Sequence, residues 1–270
     1  MIHPRLSIDS LSSFHWSFEQ DLALWRELGA PLAGLLISKI ADDIPGKVAR
    51  LCDAGIRPST VVTGAFDLSA PQTWDKNRAL LAAIIDAVAG AGGGGGTAYM
   101  TPGRTTGATW SEVLDLFAEA VAPSAAYARE KGVRLAFEPS LRTDASFVNT
   151  LRDAVDVAER TGLGLIVDFG NCWMERDLAA VLQRAAPHIA LVQICDVVIG
   201  GPGRPSPGGR VHLGEGELPL HRLMQEVLAT GYAGPFDLEV LGPAIEAEGY
   251  EPALRRGVER ASVFLTEAGA

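Results

Sequence analysis

Four residues with metal-binding or acid/base chemistry stand at the ends of apolar runs in the second half of the chain. Glu138 follows Val133-Arg134-Leu135-Ala136-Phe137, and Asp168 follows Leu163-Gly164-Leu165-Ile166-Val167. Gln193 lies within Leu191-Val192-Gln193-Ile194-Cys195, and Glu239 follows Phe236-Asp237-Leu238. If these runs are neighbouring strands, the four side chains meet at one rim. Three carboxylates crowded there repel one another and resist ionisation. A divalent cation relieves the repulsion, with the Gln193 amide oxygen as a neutral fourth ligand. All-oxygen ligation suits Mn²⁺ or Mg²⁺ rather than a structural zinc. One acidic residue after a strand is as readily a helix N-cap, but four on consecutive strands favour a shared site.

Such a rim needs strands that alternate with helices, and the chain supplies them. Apolar runs fall at Arg5–Asp9, Leu32–Leu36, Pro58–Thr63, Gly96–Met100, Val133–Phe137, Leu163–Val167, Ile189–Ile194 and Phe236–Val240. Helical patterns follow each of them. Ser17-Phe18-Glu19-Gln20 and Thr109-Trp110-Ser111-Glu112 read as capping boxes, and Gly29 closes the first helix. The remaining helices are expected around Val48–Cys52, Leu80–Ala89, Phe147–Arg160, Asp177–Ala186, Leu220–Ala229 and Glu251–Leu265. Strands buried on both faces and followed by helices form a parallel sheet, and eight such units close into a (β/α)8 barrel. The expectation is therefore a single α/β TIM-barrel domain over residues 1–270. An open doubly wound sheet would place G-x-G-x-x-G after the first strand, whereas Ser10-Leu11-Ser12-Ser13-Phe14-His15-Trp16 stands there. Gly92–Gly96 precedes a strand and reads as a flexible connection.

Composition agrees. With 270 residues, 47% hydrophobic and 21% charged, the chain can bury a sizeable core. A net charge of −10 disfavours a general attraction to nucleic acid or to an anionic membrane. Cys52, Cys172 and Cys195 fit neither a disulfide framework nor a CxxC metal site. The start, Met1-Ile2-His3-Pro4-Arg5, lacks the apolar core of a signal peptide, and no apolar run is long enough to span a bilayer. A cytoplasmic location is expected.

The quoted motifs resemble the xylose isomerase-like barrel superfamily, the sugar phosphate isomerase/epimerase group. Leu135-Ala136-Phe137-Glu138-Pro139 resembles its fifth-strand Glu-Pro motif, and Val167-Asp168-Phe169-Gly170-Asn171 its Asp-x-x-His. Val192-Gln193-Ile194-Cys195-Asp196 resembles its seventh-strand motif. The segment from Arg210 to Leu218 resembles its Arg…Pro-Gly-x-Gly, and Gly231 to Glu239 its closing Gly-Tyr-x-Gly…Glu. The resemblance implies one divalent cation on Glu138, Asp168, Gln193 and Glu239. It also implies proton transfer beside a carbonyl, with Glu138 and Glu239 as the acid/base pair, and a homo-oligomer. Three positions where the family usually has histidine carry Ser140, Asn171 and Gln193 instead. Asn171 is accordingly a candidate substrate contact.

Other candidates come from placement. His212 and Arg210 follow the Pro/Gly-rich stretch Gly200–Gly209, a long loop of the kind that serves as a lid over a substrate. His15, between Phe14 and Trp16, and Trp173 lie after strands at the same rim, where aromatics line a pocket. The alternative for Phe14 and Trp16 is an apolar staple for the first helix. Three functions remain open: an isomerase or epimerase of a keto sugar or related polyhydroxy carbonyl compound, a lyase or dehydratase on the same scaffold, and a non-catalytic binding barrel.

Overall fold

Short apolar runs with both faces covered become the strands of a closed barrel. The computed structural model describes residues 1–91, 96–104, 107–200 and 209–270. Among them, eight parallel strands close on themselves. They are β1 (Leu6–Asp9), β2 (Leu32–Leu36), β3 (Arg57–Thr63) and β4 (Thr97–Met100). The second half contributes β5 (Arg134–Phe137), β6 (Gly164–Asp168), β7 (Ile189–Ile194) and β8 (Phe236–Leu238). Pairing of β1 with β8, Ser7 opposite Asp237, completes the (β/α)8 barrel that the sequence predicts.

The enclosing helices are α1 (Phe18–Leu28), α2 (Ile44–Asp53), α3 (Trp74–Gly90) and α4 (Trp110–Lys131). They continue with α5 (Leu151–Thr161), α6 (Leu178–Ala185), α7 (Leu220–Leu228) and α8 (Tyr250–Ala268). Both capping boxes form, and Gly29 ends α1 at φ 69°, a left-handed conformation that favours glycine. Helix α5 starts later than its apolar pattern suggests. Thr150 accepts from the Asp153 amide at 3.0 Å and sets the start, so Phe147 and Val148 stay in the preceding turn. The fourth residue of α1, where a staple to Trp16 would need an apolar side chain, is Asp21; Trp16 lies edge-on to Tyr250, 5.8 Å between ring centres.

Two apolar zones divide the interior. A large one lies between barrel and helices. A small one, Tyr99, Ala136, Ile166 and Leu191, plugs the barrel itself, with Val62 against it. Side chains along a strand alternate between faces. Two residues beyond Ala136, Ile166 and Leu191 come Glu138, Asp168 and Gln193, so the plug is the floor on which these polar groups stand. No helix among the described residues is long and apolar enough to cross a membrane. Most of the glycine run, residues 92–95, and most of the expected lid, residues 201–208, lie outside the described residues.

Candidate active site

Strand register brings the four rim residues side by side. Asp168 and Gln193 are direct partners across β6 and β7, and Gln193 faces Asp237, two residues before Glu239, across β7 and β8. The Glu138 amide donates to Met100 O at 2.9 Å and the Glu239 amide to Ile194 O at 3.2 Å, which extends the ladder to both glutamates. Gln193 is fully buried; its Nε2 donates to the Tyr99 hydroxyl at 3.2 Å, while its Oε1 has no partner among the described residues. Glu239 is 6% exposed, and its Oε2 also lacks a partner among the described residues.

Asp168 combines the cap and the site roles. Its Oδ1 accepts from the Gly170 amide at 2.6 Å and so caps the short helix Phe169–Cys172. Its Oδ2 accepts from Arg210 Nη2 at 2.5 Å and from Asn171 Nδ2 at 3.3 Å. The same Asn171 Nδ2 donates to Glu138 Oε1 at 3.0 Å. The other guanidinium nitrogen, Arg210 Nη1, reaches Glu239 twice, its main-chain O at 3.0 Å and its Oε1 at 3.1 Å. One arginine thus bridges two of the three carboxylates.

Arg210 is delivered by a short antiparallel strand pair that the sequence does not announce. Asp196–Val197 pairs with Arg210–Val211. Asp196, the residue that follows β7, is buried and organises what comes next. Its Oδ2 accepts from the amides of Gly214 (2.9 Å) and Gly216 (3.0 Å), and its Oδ1 from Leu218 (3.1 Å). A Cβ on Gly216 would stand 2.1 Å from Asp196 Oδ1 and 2.6 Å from Val197 O, so the backbone approach requires glycine.

Electrostatics follow from this crowding. Burial, then repulsion from Glu239 and Asp168, holds the Glu138 carboxyl well above the usual range. Burial pushes Glu239 up to about 8, against the pull of Arg210. Burial alone would lower Arg210, but Asp168 and Glu239 more than offset it. Beneath the rim, Asp9 and Asp237 are both fully buried and both raised, chiefly by burial. Cys195 lies buried with Sγ 3.4 Å from Asp168 Oδ1, and burial raises its thiol too.

The structure brings Asn171 and Arg210 into the network of the four rim residues. It leaves the other proposed substrate contacts outside those hydrogen bonds. His212 is 2% exposed and bonds through Nε2 to Glu248 Oε2 at 3.0 Å, part of an outer cluster with Arg256. A Cβ on Gly257 of α8 would stand 3.5 Å from its Nδ1, so the ring packs against that helix. His15 has an exposed side chain (69%) 3.9 Å from Glu246. Trp173 is half-buried, and its main-chain O accepts from Arg222 at 3.2 Å. Ser140 is buried; its main-chain O accepts from Asn149 Nδ2 at 2.6 Å. Sequence reading passes over Tyr99, Asp9 and Asp237. The strand-end rule that finds Glu138 also finds Asp9, and two-residue alternation back from Glu239 finds Asp237.

The donor set fits a hard divalent cation. Two buried oxygens without a partner among the described residues, Gln193 Oε1 and Glu239 Oε2, stand beside carboxyls raised by burial and then by mutual repulsion, and an added positive charge satisfies both conditions. Among the described residues no three His, Cys, Asp or Glu side chains form a ready-made cage. Arg210 accounts for part of this, since it takes Asp168 Oδ2 and Glu239 Oε1. A groove of about 820 Å³, lined by residues such as Leu218, Leu220, Arg260 and Phe264, opens elsewhere and includes none of the four.

Comparison with known proteins places these observations. A family model described as xylose isomerase-like TIM barrel matches residues 25–260. Among solved structures, an IolI protein with a bound zinc atom superposes with a TM-score of 0.83 at 15% identity, covering 98% of this chain and 99% of that one. An L-ribulose 3-epimerase gives 0.74 at 21% identity, covering 98% and 95%. A family 2 AP endonuclease from Brucella melitensis gives 0.70 at 18%, covering 93% and 98%. At these identities the likeness shows the fold. No curated protein matches the sequence.

Proposed function

This chain belongs to the xylose isomerase-like TIM barrel family, and we propose that it is a divalent-metal-dependent isomerase or epimerase of a keto sugar or a related polyhydroxy carbonyl compound. One observation carries the reading. Glu138, Asp168, Gln193 and Glu239 stand on four adjacent strand ends, with Gln193 Oε1 and Glu239 Oε2 buried and without a partner among the described residues. Mn²⁺ or Mg²⁺ held by these four residues would supply an electrophile that polarises a substrate carbonyl.

The protein's own groups do the rest. One of Glu138 and Glu239 takes the proton from the carbon beside the carbonyl, and an enediolate results. The other returns a proton, to the neighbouring carbon in an isomerisation, in which the hydroxyl proton also passes to the former carbonyl oxygen, or to the opposite face of the same carbon in an epimerisation. Asn171 Nδ2, bonded to Glu138 Oε1, fixes the orientation of that carboxylate. The Tyr99 hydroxyl holds the Gln193 amide so that its oxygen is left for a ligand. The fold shared with an L-ribulose 3-epimerase supports this substrate class.

The test combines metal analysis of the purified native protein with a screen of keto sugars and cyclitol ketones in deuterated buffer containing Mn²⁺. The expected result is about one equivalent of metal and deuterium at the carbon next to the carbonyl, with exchange lost in Glu138→Gln. A mass-neutral product identifies an isomerase or epimerase; loss of water, after the same first step, identifies a dehydratase. A correctly folded protein that neither binds metal nor exchanges deuterium with any of these compounds is a binding barrel, and the proposal fails.

A further inference from the structure

Asp168 has no free oxygen. Its Oδ1 accepts from the Gly170 amide at 2.6 Å, and its Oδ2 from Arg210 Nη2 at 2.5 Å and Asn171 Nδ2 at 3.3 Å. Glu239 Oε1 lies 3.1 Å from Arg210 Nη1. A divalent ion that uses Asp168 as a ligand must therefore take Oδ2 from the guanidinium or crowd a second positive charge against it. Oδ1 is the poorer choice, because releasing it uncaps the helix Phe169–Cys172.

We propose that the Arg210 guanidinium is the resident cation of the carboxylate cluster, and that a divalent ion must displace it from Asp168 Oδ2 to bind. Three features make the arginine suited to this. It sits on a two-residue strand paired with Asp196–Val197 rather than on a barrel strand, so its side chain reaches the mouth from outside the barrel wall. Its side chain is 17% exposed, against 0% for Asp168, so it has a way out that the aspartate lacks. Its bond from Nη1 to the Glu239 main-chain O, at 3.0 Å, engages no carboxylate and can persist while Nη2 swings away. Once displaced, Nη2 is a free cationic donor at the mouth of the site. Like charges at contact distance are costly where water is scarce, so the arginine raises the threshold for metal loading and holds the cluster together before loading.

The inference rests on the metal reading, and one experiment separates the two. Mn²⁺ is titrated into metal-free wild-type protein, Arg210→Met and Arg210→Lys, with free Mn²⁺ read by electron paramagnetic resonance. Arg210→Met is expected to bind Mn²⁺ at least tenfold more tightly than wild type. Its metal-free melting temperature should fall below wild type and recover on adding Mn²⁺. Arg210→Lys, which keeps a charge but cannot bridge two carboxylates, should fall between. If Arg210→Met folds only with Mn²⁺ present, that dependence supports the inference. Equal or weaker binding in Arg210→Met, with wild type binding normally, overturns the inference and leaves the metal reading standing. No binding by any of the three overturns both.

Discussion

Asn171 Nδ2 lies 3.0 Å from Glu138 Oε1 and 3.3 Å from Asp168 Oδ2, so a single neutral amide ties together two carboxyl groups from adjacent strands. The resemblance places a histidine at this position. A neutral imidazole offers one N–H; an amide offers two, and its oxygen accepts from the Leu141 amide at 3.3 Å. Replacing it by Leu leaves Glu138 Oε1, a half-buried carboxyl oxygen, without that donor. Asn171→Leu should lower the unfolding free energy by about 1–3 kcal/mol, read by urea denaturation of the metal-free protein. A loss near zero would mean that water replaces the amide and that Asn171 does not position Glu138.

Metal should stabilise the fold as well as serve the chemistry. A ligand that binds only the native state at 100 times its dissociation constant adds about 2.7 kcal/mol. Mn²⁺ at that excess should raise the melting temperature of wild type, and the increment should vanish in Asp168→Asn and in Glu138→Gln. Calcium, which favours longer bonds and more ligands, should give a smaller increment. An equal rise in both variants would place the ion elsewhere on the protein.

Much of this arrangement is legible in the sequence, for physical reasons that also mark where legibility stops. Short apolar runs, each followed by a helical pattern, fit strands covered on both faces, so the barrel and its eight strands follow, with ends displaced by one or two residues. Local chemistry fixes some boundaries outright: Ser17, Thr109 and Gly29 act within their own turn, and all three behave as written. Glu138, Asp168, Gln193 and Glu239 converge because two-residue alternation and strand register are local rules applied around a closed ring. The role of Arg210 is different. Its position depends on Asp196 gathering the amides of Gly214, Gly216 and Leu218, contacts made across some twenty residues of chain that periodicity cannot anticipate. His212 illustrates the converse. A histidine in a Pro/Gly-rich neighbourhood reads as a loop residue, yet here it is buried against α8 and bonded to Glu248.

Gly34 marks how tightly the polar half of the barrel interior is packed. A Cβ there would stand 2.8 Å from Thr60 Oγ1, 3.0 Å from Asp237 Oδ2 and 3.1 Å from Asp9 Oδ2. All three oxygens are buried without hydrogen-bond partners among the described residues, and they belong to three different strands. Gly34→Ala must push at least one of them aside. The expected cost is about 1–3 kcal/mol in thermal or urea denaturation, more than the roughly 0.4–1 kcal/mol that alanine contributes by restricting the unfolded chain. A stabilised Gly34→Ala would show that these oxygens have room to move.

Lys39 and Asp21 form a buried ion pair. Lys39 Nζ donates to Asp21 Oδ2 at 2.7 Å, to Ser10 O at 2.8 Å and to Ser13 O at 2.9 Å, so one ammonium ties the turn after β1 to helix α1. Burial raises Asp21 from 3.8 to about 6, even though Lys39 pulls it down. An acid raised in the folded state binds its proton more tightly there than in the unfolded chain. Its contribution to stability is therefore fully present below pH 3.8 and is lost as pH rises through about 6. Removing the lysine takes away the attraction that keeps the folded value as low as it is. In Lys39→Met the loss should continue to higher pH, with a penalty of about 3–5 kcal/mol near neutrality, where a buried charge stands unpaired. The penalty should be smaller near pH 4.5, where Asp21 is protonated in the fold. Adding Asp21→Asn to Lys39→Met should recover part of the loss at pH 7.5 and little at pH 4.5. Urea denaturation of the three proteins at the two pH values measures this directly, and a Lys39→Met penalty independent of pH would show that Asp21 does not titrate as its burial requires.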